Sequence, residues 1–177
     1  MNNLRFSVGE TIVYGSTGVC EIVDICHAPF DTLDVNRLYY VLKPIRNNDS
    51  SMVYSPIDNG KVNMRPLMSV QQAKAIIDNI ESIPLLTVDI EKSRKDTYKA
   101  ALASCVPEAY VSVIKEIYRR RIEYKKSGRR FSETDGDYER MAKNCLYCEL
   151  SVVLNVTYGE IDETISEMLE KTFSPER

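Results

Sequence analysis

Histidine is nearly missing from this chain: His27 is the only one. That excludes His-rich metal sites and leaves any Ser–His or Cys–His catalytic pair a single base to use. No apolar run of about 18 residues occurs, which excludes a membrane-spanning helix of ordinary length. The opening MNNLRFSVGE lacks the basic-then-apolar layout of a secretory leader, so the expected location is the cytoplasm. The seven glycines form neither G-x-G-x-x-G nor a P-loop. The acidic stretch DETISE at 162–167 reads as a solvated helical face rather than a catalytic carboxylate pair. An enzyme needs a constellation of reactive groups. The expectation is therefore a protein that is not an enzyme, with no cofactor, no metal and no small-molecule substrate.

What is present is ordinary for a globular chain: 44% hydrophobic and 28% charged residues. Cys20, Cys26, Cys105, Cys145 and Cys148 are an odd set with no export signal, which favours reduced thiols. Cys145 and Cys148 have C-x-x-C spacing, but they lie mid-helix without a second pair, so buried, inert thiols are expected. Cys26 and His27 are adjacent on a strand, and adjacent strand residues point to opposite faces. The net charge of −3 offers no global attraction to nucleic acid, but it is unevenly spread. Residues 115–130 hold eight basic and two acidic side chains, whereas residues 133–177 hold four basic and eleven acidic ones.

Residues 6–68 read as strands. ETIVY, GVCEIVDICHA, RLYYVLKPI and SMVYS are rich in β-branched and aromatic residues and are bounded by turn formers. Strict alternation in the second places Cys20, Ile22, Asp24 and Cys26 on one face and Val19, Glu21, Val23 and Ile25 on the other. Both faces are partly apolar, which predicts a small closed barrel. Gly15 and Gly18 bracket a tight turn that needs positive φ. From Ser69 the period becomes helical. A helix is expected over 69–82, ended by Pro84, with a linker at 83–90. Four further helices follow: about 91–104; Pro107 to Lys126; one capped by Ser132 with Tyr138, Met141, Ala142, Cys145, Leu146 and Val153 on its stripe; and about 159–172. The fold class is α+β, a small antiparallel β-barrel over 1–68 followed by a compact all-α unit over 69–177.

The basic run is the strongest chemical signal. Arg119, Arg120 and Arg121 are consecutive, and Lys125, Lys126, Arg129 and Arg130 extend the run to the helix end. Two readings stay open: a solvated face whose cations complement the helix dipole, or a phosphate-contacting surface. Arg94, Lys95 and Lys99 give the preceding helix a basic side with the same two readings.

Taken together, ordered elements carry a resemblance. They are Phe6-x-Val8-Gly9-Glu10-x-Ile12-Val13-Tyr14, then Gly18-Val19 with Ile22 and Ile25, then LYYVLK at 38–43, MVYSP at 52–56, and Val62-x-x-Arg65-Pro66-Leu67. This order resembles the amino-terminal module of the CarD/CdnL family of bacterial transcription regulators, a module also found in the transcription-repair coupling factor. Arg94-x-x-x-Tyr98-Lys99-x-x-Leu102, Ile114-Lys-Glu-Ile-Tyr-Arg-Arg, Phe131-Ser132 and Leu146-Tyr-x-Glu-Leu150 are similar to the family's helical part. The resemblance spans roughly 5–172.

The resemblance implies a Tudor-like barrel that docks on the RNA polymerase β subunit. It also implies a helical unit that faces promoter DNA at the upstream edge of the melted bubble, where a tryptophan wedges into the minor groove. On this basis Arg37, Arg46, Val53 and Tyr54 are the expected polymerase contacts, with Ala28 at a position where the family often has arginine. The expected DNA contacts are Arg94, Lys95, Lys99, Arg119, Arg120, Lys125, Lys126, Arg129 and Arg130. The chain has no tryptophan. Val88 and Ile90, or Leu86, are the substitute wedge candidates. Asp135 and Asp137 fall where the family has basic DNA-side positions and would repel phosphate. The implied setting is the bacterial cytoplasm, associated with the nucleoid, and an exposed β edge could equally pair with a second copy as a homodimer. The alternative is a polymerase-docking adaptor that engages another protein with little direct DNA contact.

Overall fold

A computed structural model describes residues 4–27, 34–45, 51–88 and 91–173. Five strands form one antiparallel sheet: β1 (Thr11–Tyr14), β2 (Gly18–His27), β3 (Leu38–Pro44), β4 (Val53–Pro56) and β5 (Met64–Pro66). Their spatial order is β4-β3-β2-β1-β5. The sheet is thus open among the described residues, with β4 and β5 at its two ends, and the expected closure into a barrel is not seen.

Its core is built by alternation with one interruption. Ile12, Tyr14, Cys20, Ile22, Tyr40, Leu42 and Met64 are buried together with Phe6. Between Ile22 and Asp24 the β2–β3 register slips, so Ile22 opposes Leu42 while Asp24 already opposes Val41. This bulge reverses the side-chain alternation. Ile25, not Cys26, then joins the Ile22 face and packs on the core opposite Tyr40. Strict alternation along β2 had put Ile25 on the other side. The Tyr40 hydroxyl accepts from the Arg5 and Phe6 N–H groups, which ties the amino-terminal segment to the sheet.

Five α-helices follow among the described residues: α1 (Val70–Asp78), α2 (Arg94–Ala103), α3 (Pro107–Lys126), α4 (Glu133–Leu154) and α5 (Tyr158–Phe173). Ser69 caps α1 through a reciprocal exchange with Gln72. The helix ends at Asp78, six residues before Pro84. Just beyond its end, Lys115 of α3 donates through Nζ to the carbonyls of Ile80, Glu81 and Ile83. Ser132 accepts from the Asp135 N–H at the start of α4, and Asn155 ends α4 in the left-handed region. Tyr98, Leu102, Tyr110, Ile114, Ile117, Leu146 and Leu150 centre the helical core.

The sheet and the helices share a tight seam. α4 packs on β2, and both α2 and α4 pack on the 3-10 turn Gly15–Thr17. Cys145 Sγ lies 3.5 Å from the Ser16 carbonyl, and Cys105 Sγ 3.3 Å from that of Asn63. Gly18, at φ 84°, faces Cys145 so closely that an added Cβ would meet its atoms at 3.4 Å. Arg65 of β5 reaches across to Glu149 of α4 with two hydrogen bonds, 2.5 and 2.8 Å. The same carboxylate accepts from the Met68 N–H at 2.8 Å, and Arg65 Nε donates to the Cys105 carbonyl at 2.6 Å. The Glu149 side chain is fully buried.

Candidate functional site

Two surfaces follow from this frame. The first is the β4 end of the sheet. The helical unit packs on the central strand β2 and clamps Arg65 of β5 at one end, so β4 is the opposite end in strand order. β4 is bonded to β3 with Tyr39 opposite Pro56, Tyr40 opposite Ser55, Val41 opposite Tyr54 and Leu42 opposite Val53. Val53 turns inward onto the sheet core and Ser55 is buried, which puts Tyr54 on the opposite face, half-buried. Met52, just before the strand, is exposed. Of the residues expected to touch polymerase, Val53 is thus a core-facing residue of the edge strand, whereas Tyr54 sits on its outer face. Arg37, before β3, pairs with Asp58 after β4. The guanidinium of Arg37 holds the Asp58 carboxyl below its usual range. Arg46 and Ala28 lie outside the described residues.

The second surface is the basic side of α2 and α3, and here the structure alters the picture drawn from charge alone. Arg119 forks onto Glu116 at 2.7 and 2.9 Å and also pairs with Glu123. Arg120 donates through Nε to Glu116 at 2.7 Å, and through both Nη atoms to Glu91 at 3.0 and 2.9 Å. Arg94 pairs with Glu91 and, through Nε, with Asp135 at 2.9 Å. Arg121 pairs with Glu139. Four arginines therefore meet five carboxylates, several of them buried. The positive potential expected at Arg94, Arg119 and Arg120 is largely cancelled inside the molecule. Asp135 is fully buried, so it does not face a phosphate as expected; it holds Arg94. Burial and the field of Asp135 together raise the pKa of the neighbouring Tyr98 to about 12.

What remains exposed and positive lies elsewhere. Lys125, Lys126, Arg129 and Arg130 cluster at the α3–α4 turn. There the Arg129 guanidinium sits 5.2 Å from the centre of the Tyr124 ring, and Arg130 pairs with the exposed Glu133. Lys95 and Lys99 line a cleft with Thr134, Asp137 and Tyr138 of α4, so one carboxylate shares their space. The sequence candidates thus divide into Arg94, Arg119 and Arg120, which build the protein, and Lys125, Lys126, Arg129 and Arg130, which face solvent.

The wedge candidates do not project. Val88 and Leu86 are partly buried against the helical core. The linker that bears them is fastened to α3: the Leu86 N–H donates to the Ser112 carbonyl, and the Ser112 hydroxyl donates to that of Pro84. An apolar linker beside an apolar stripe buries itself rather than waiting in water. Ile90 lies outside the described residues. Glu91 was not singled out from the sequence, and Lys115 and Glu149 stand in the quoted helical motifs without an assigned role. A lysine amid the apolar stripe of α3 was the one available signal.

Four of the five thiols are buried; Cys26 is partly exposed. Cys20 and Cys145 are buried, and desolvation pushes each thiol up to about 12, far from the reactive range. Cys148 is buried also, and no cluster of three or more metal-ligating side chains occurs among the described residues.

Residues 6–68, the segment that ends in β5 and contains the β4 edge, match the family model of the CarD-like/TRCF RID domain. No curated protein matches the chain.

Proposed function

We propose that this chain, whose residues 6–68 belong to the CarD-like/TRCF RID domain family, is a transcription regulator that binds RNA polymerase. In this reading the β subunit is the partner and the β4 edge is the contact. The observation that carries it is the coincidence of the family match with an end strand that lies, in strand order, at the opposite end of the sheet from the helix-clamped β5. An end strand offers backbone donors and acceptors to a partner strand, and Tyr54 with Met52 supplies side-chain contact. The Tudor-like description belongs to this reading too, as an open version of that sheet. No chemical step is required of the protein, and it would act in the cytoplasm beside the nucleoid.

The helical unit then acts on the promoter complex. Fastened to the sheet through Arg65 and Glu149, it would be carried to DNA at a set angle. Lys125, Lys126, Arg129 and Arg130 are the groups available for backbone phosphates. Binding the open promoter complex better than the closed one would shift the equilibrium toward it. A second reading is favoured by the internal pairing of Arg94, Arg119 and Arg120. With its basic run neutralised, the helical unit would engage another protein, and the chain would be a polymerase-bound adaptor.

One experiment separates them. Capture of the RNA polymerase β subunit is measured with the wild-type chain and with Met52→Glu/Tyr54→Lys, followed by DNA footprinting of the promoter complex. The double variant should lose capture at least tenfold with its fold intact. Loss of capture with no footprint change from the wild-type chain selects the adaptor. Undiminished capture by the double variant refutes docking through β4.

A further inference from the structure

Arg94 and Arg120 are held in an unusual way. Their side chains are only 13% and 12% exposed, and from behind they are held by buried carboxylates: Asp135, fully buried, and Glu116, 4% exposed. From the front both are held by one carboxylate, Glu91, which is 60% exposed and stands on a three-residue 3-10 turn. Glu91 engages both Nη atoms of Arg120 and also pairs with Arg94. Two oriented guanidiniums converging on one small anion form the donor arrangement that recognises phosphate.

We propose that Glu91 is an intramolecular stand-in for a phosphodiester, and that Arg94 and Arg120 form a single-phosphate site which opens when Glu91 swings away. A phosphodiester carries one negative charge shared by two terminal oxygens, as a carboxylate does. The exchange therefore leaves the charge of the arginine–carboxylate network unchanged. The buried carboxylates behind keep both guanidiniums in position, so the site needs no rebuilding when its occupant changes. Glu91 is the member that can leave, because it is the most exposed and stands on the shortest element. The contact is thus an autoinhibitory latch: the chain's own carboxylate competes with backbone phosphate for the two arginines. This rests on the reading that the helical unit faces DNA, but the site is testable without DNA.

The probe is dimethyl phosphate, a phosphodiester monoanion, titrated into the full chain while the arginine Nε–H resonances are followed by NMR. Glu91→Gln removes the competing charge at an exposed position and should bind the probe about fivefold tighter than wild type, the scale of an exposed ion pair. Arg120 and Arg94 resonances should move together. Adding Arg120→Met to Glu91→Gln should abolish the gain. Equal affinities for wild type and Glu91→Gln overturn the latch, and so does a gain that survives Arg120→Met. If the probe behaves as expected while neither protein alters a promoter footprint, the latch stands and the DNA-facing reading falls. If the footprint is present but the probe affinities are equal, the latch falls alone.

Discussion

Removing the Glu149 carboxylate should loosen the joint between sheet and helices more than any other single truncation at the seam. Glu149 is fully buried and satisfies three donors: both Nη atoms of Arg65 and the Met68 N–H. Glu149→Ala leaves the guanidinium and the amide without that partner. Breaking a buried pair from one side costs about 3–5 kcal/mol. The Arg65 side chain is 23% exposed, so water recovers part of this, and about 3 kcal/mol is the expected loss. Glu149→Gln keeps an oxygen for Met68 and loses mainly the charge, which should cost about 1–2 kcal/mol. Arg65→Met/Glu149→Met, with no stranded charge, should be less damaged than Glu149→Ala despite changing two residues. The assay is urea unfolding followed by circular dichroism and tyrosine fluorescence. Besides the drop in midpoint, Glu149→Ala should separate the two signals, because the sheet and helical cores are then less tightly joined. A Glu149→Ala protein within about 0.5 kcal/mol of wild type, with coincident transitions, would refute the idea that this carboxylate couples the two halves.

Lys115→Met should lower stability by about 2–3 kcal/mol. It strands the carbonyls of Ile80, Glu81 and Ile83, and hydrogen exchange should rise first in residues 79–83. Gly18→Ala should cost about 1–2 kcal/mol, because φ is +84° and the new Cβ meets Cys145; a thermal melt with unchanged Tm would count against the seam geometry. The buried thiols and Tyr98 predict alkaline instability. Cys20 and Cys145 rise from 9.0, and Tyr98 from 10.0, each to about 12. The folded state thus retains protons that the unfolded chain releases. The thiols' contribution is intact below pH 9 and falls between pH 9 and about 12, and that of Tyr98 falls between pH 10 and about 12, at up to about 1.4 kcal/mol per pH unit for each group. Circular dichroism against pH should show this, with a shallower decline in Cys145→Ala.

Much of the fold was legible in the sequence because it is local. Alternating β-branched residues, glycines at the turn 15–18 and the caps Ser69 and Ser132 each act within a few residues. The bulge in β2 was not legible, since nothing within GVCEIVDICH marks where the register slips; the pairing of Tyr40 with Ile25 decides it. The anchoring of the segment after α1 was hidden for a similar reason, because the lysine that holds the carbonyls of Ile80 and Ile83 lies 32–35 residues downstream.

The candidate site shows the same division. Composition by itself determined that a basic run exists on α3 and that an acidic region follows it. Only the tertiary structure decided which of those cations act outward. Arg94 finds Asp135 from 41 residues away, Arg120 finds Glu91 from 29, and Arg121 finds Glu139 from 18. Coulomb attraction depends on distance in space, and in a partly desolvated helical bundle it is strong at contact. The count of charges along the chain therefore says what can be attracted, while packing says what is already neutralised.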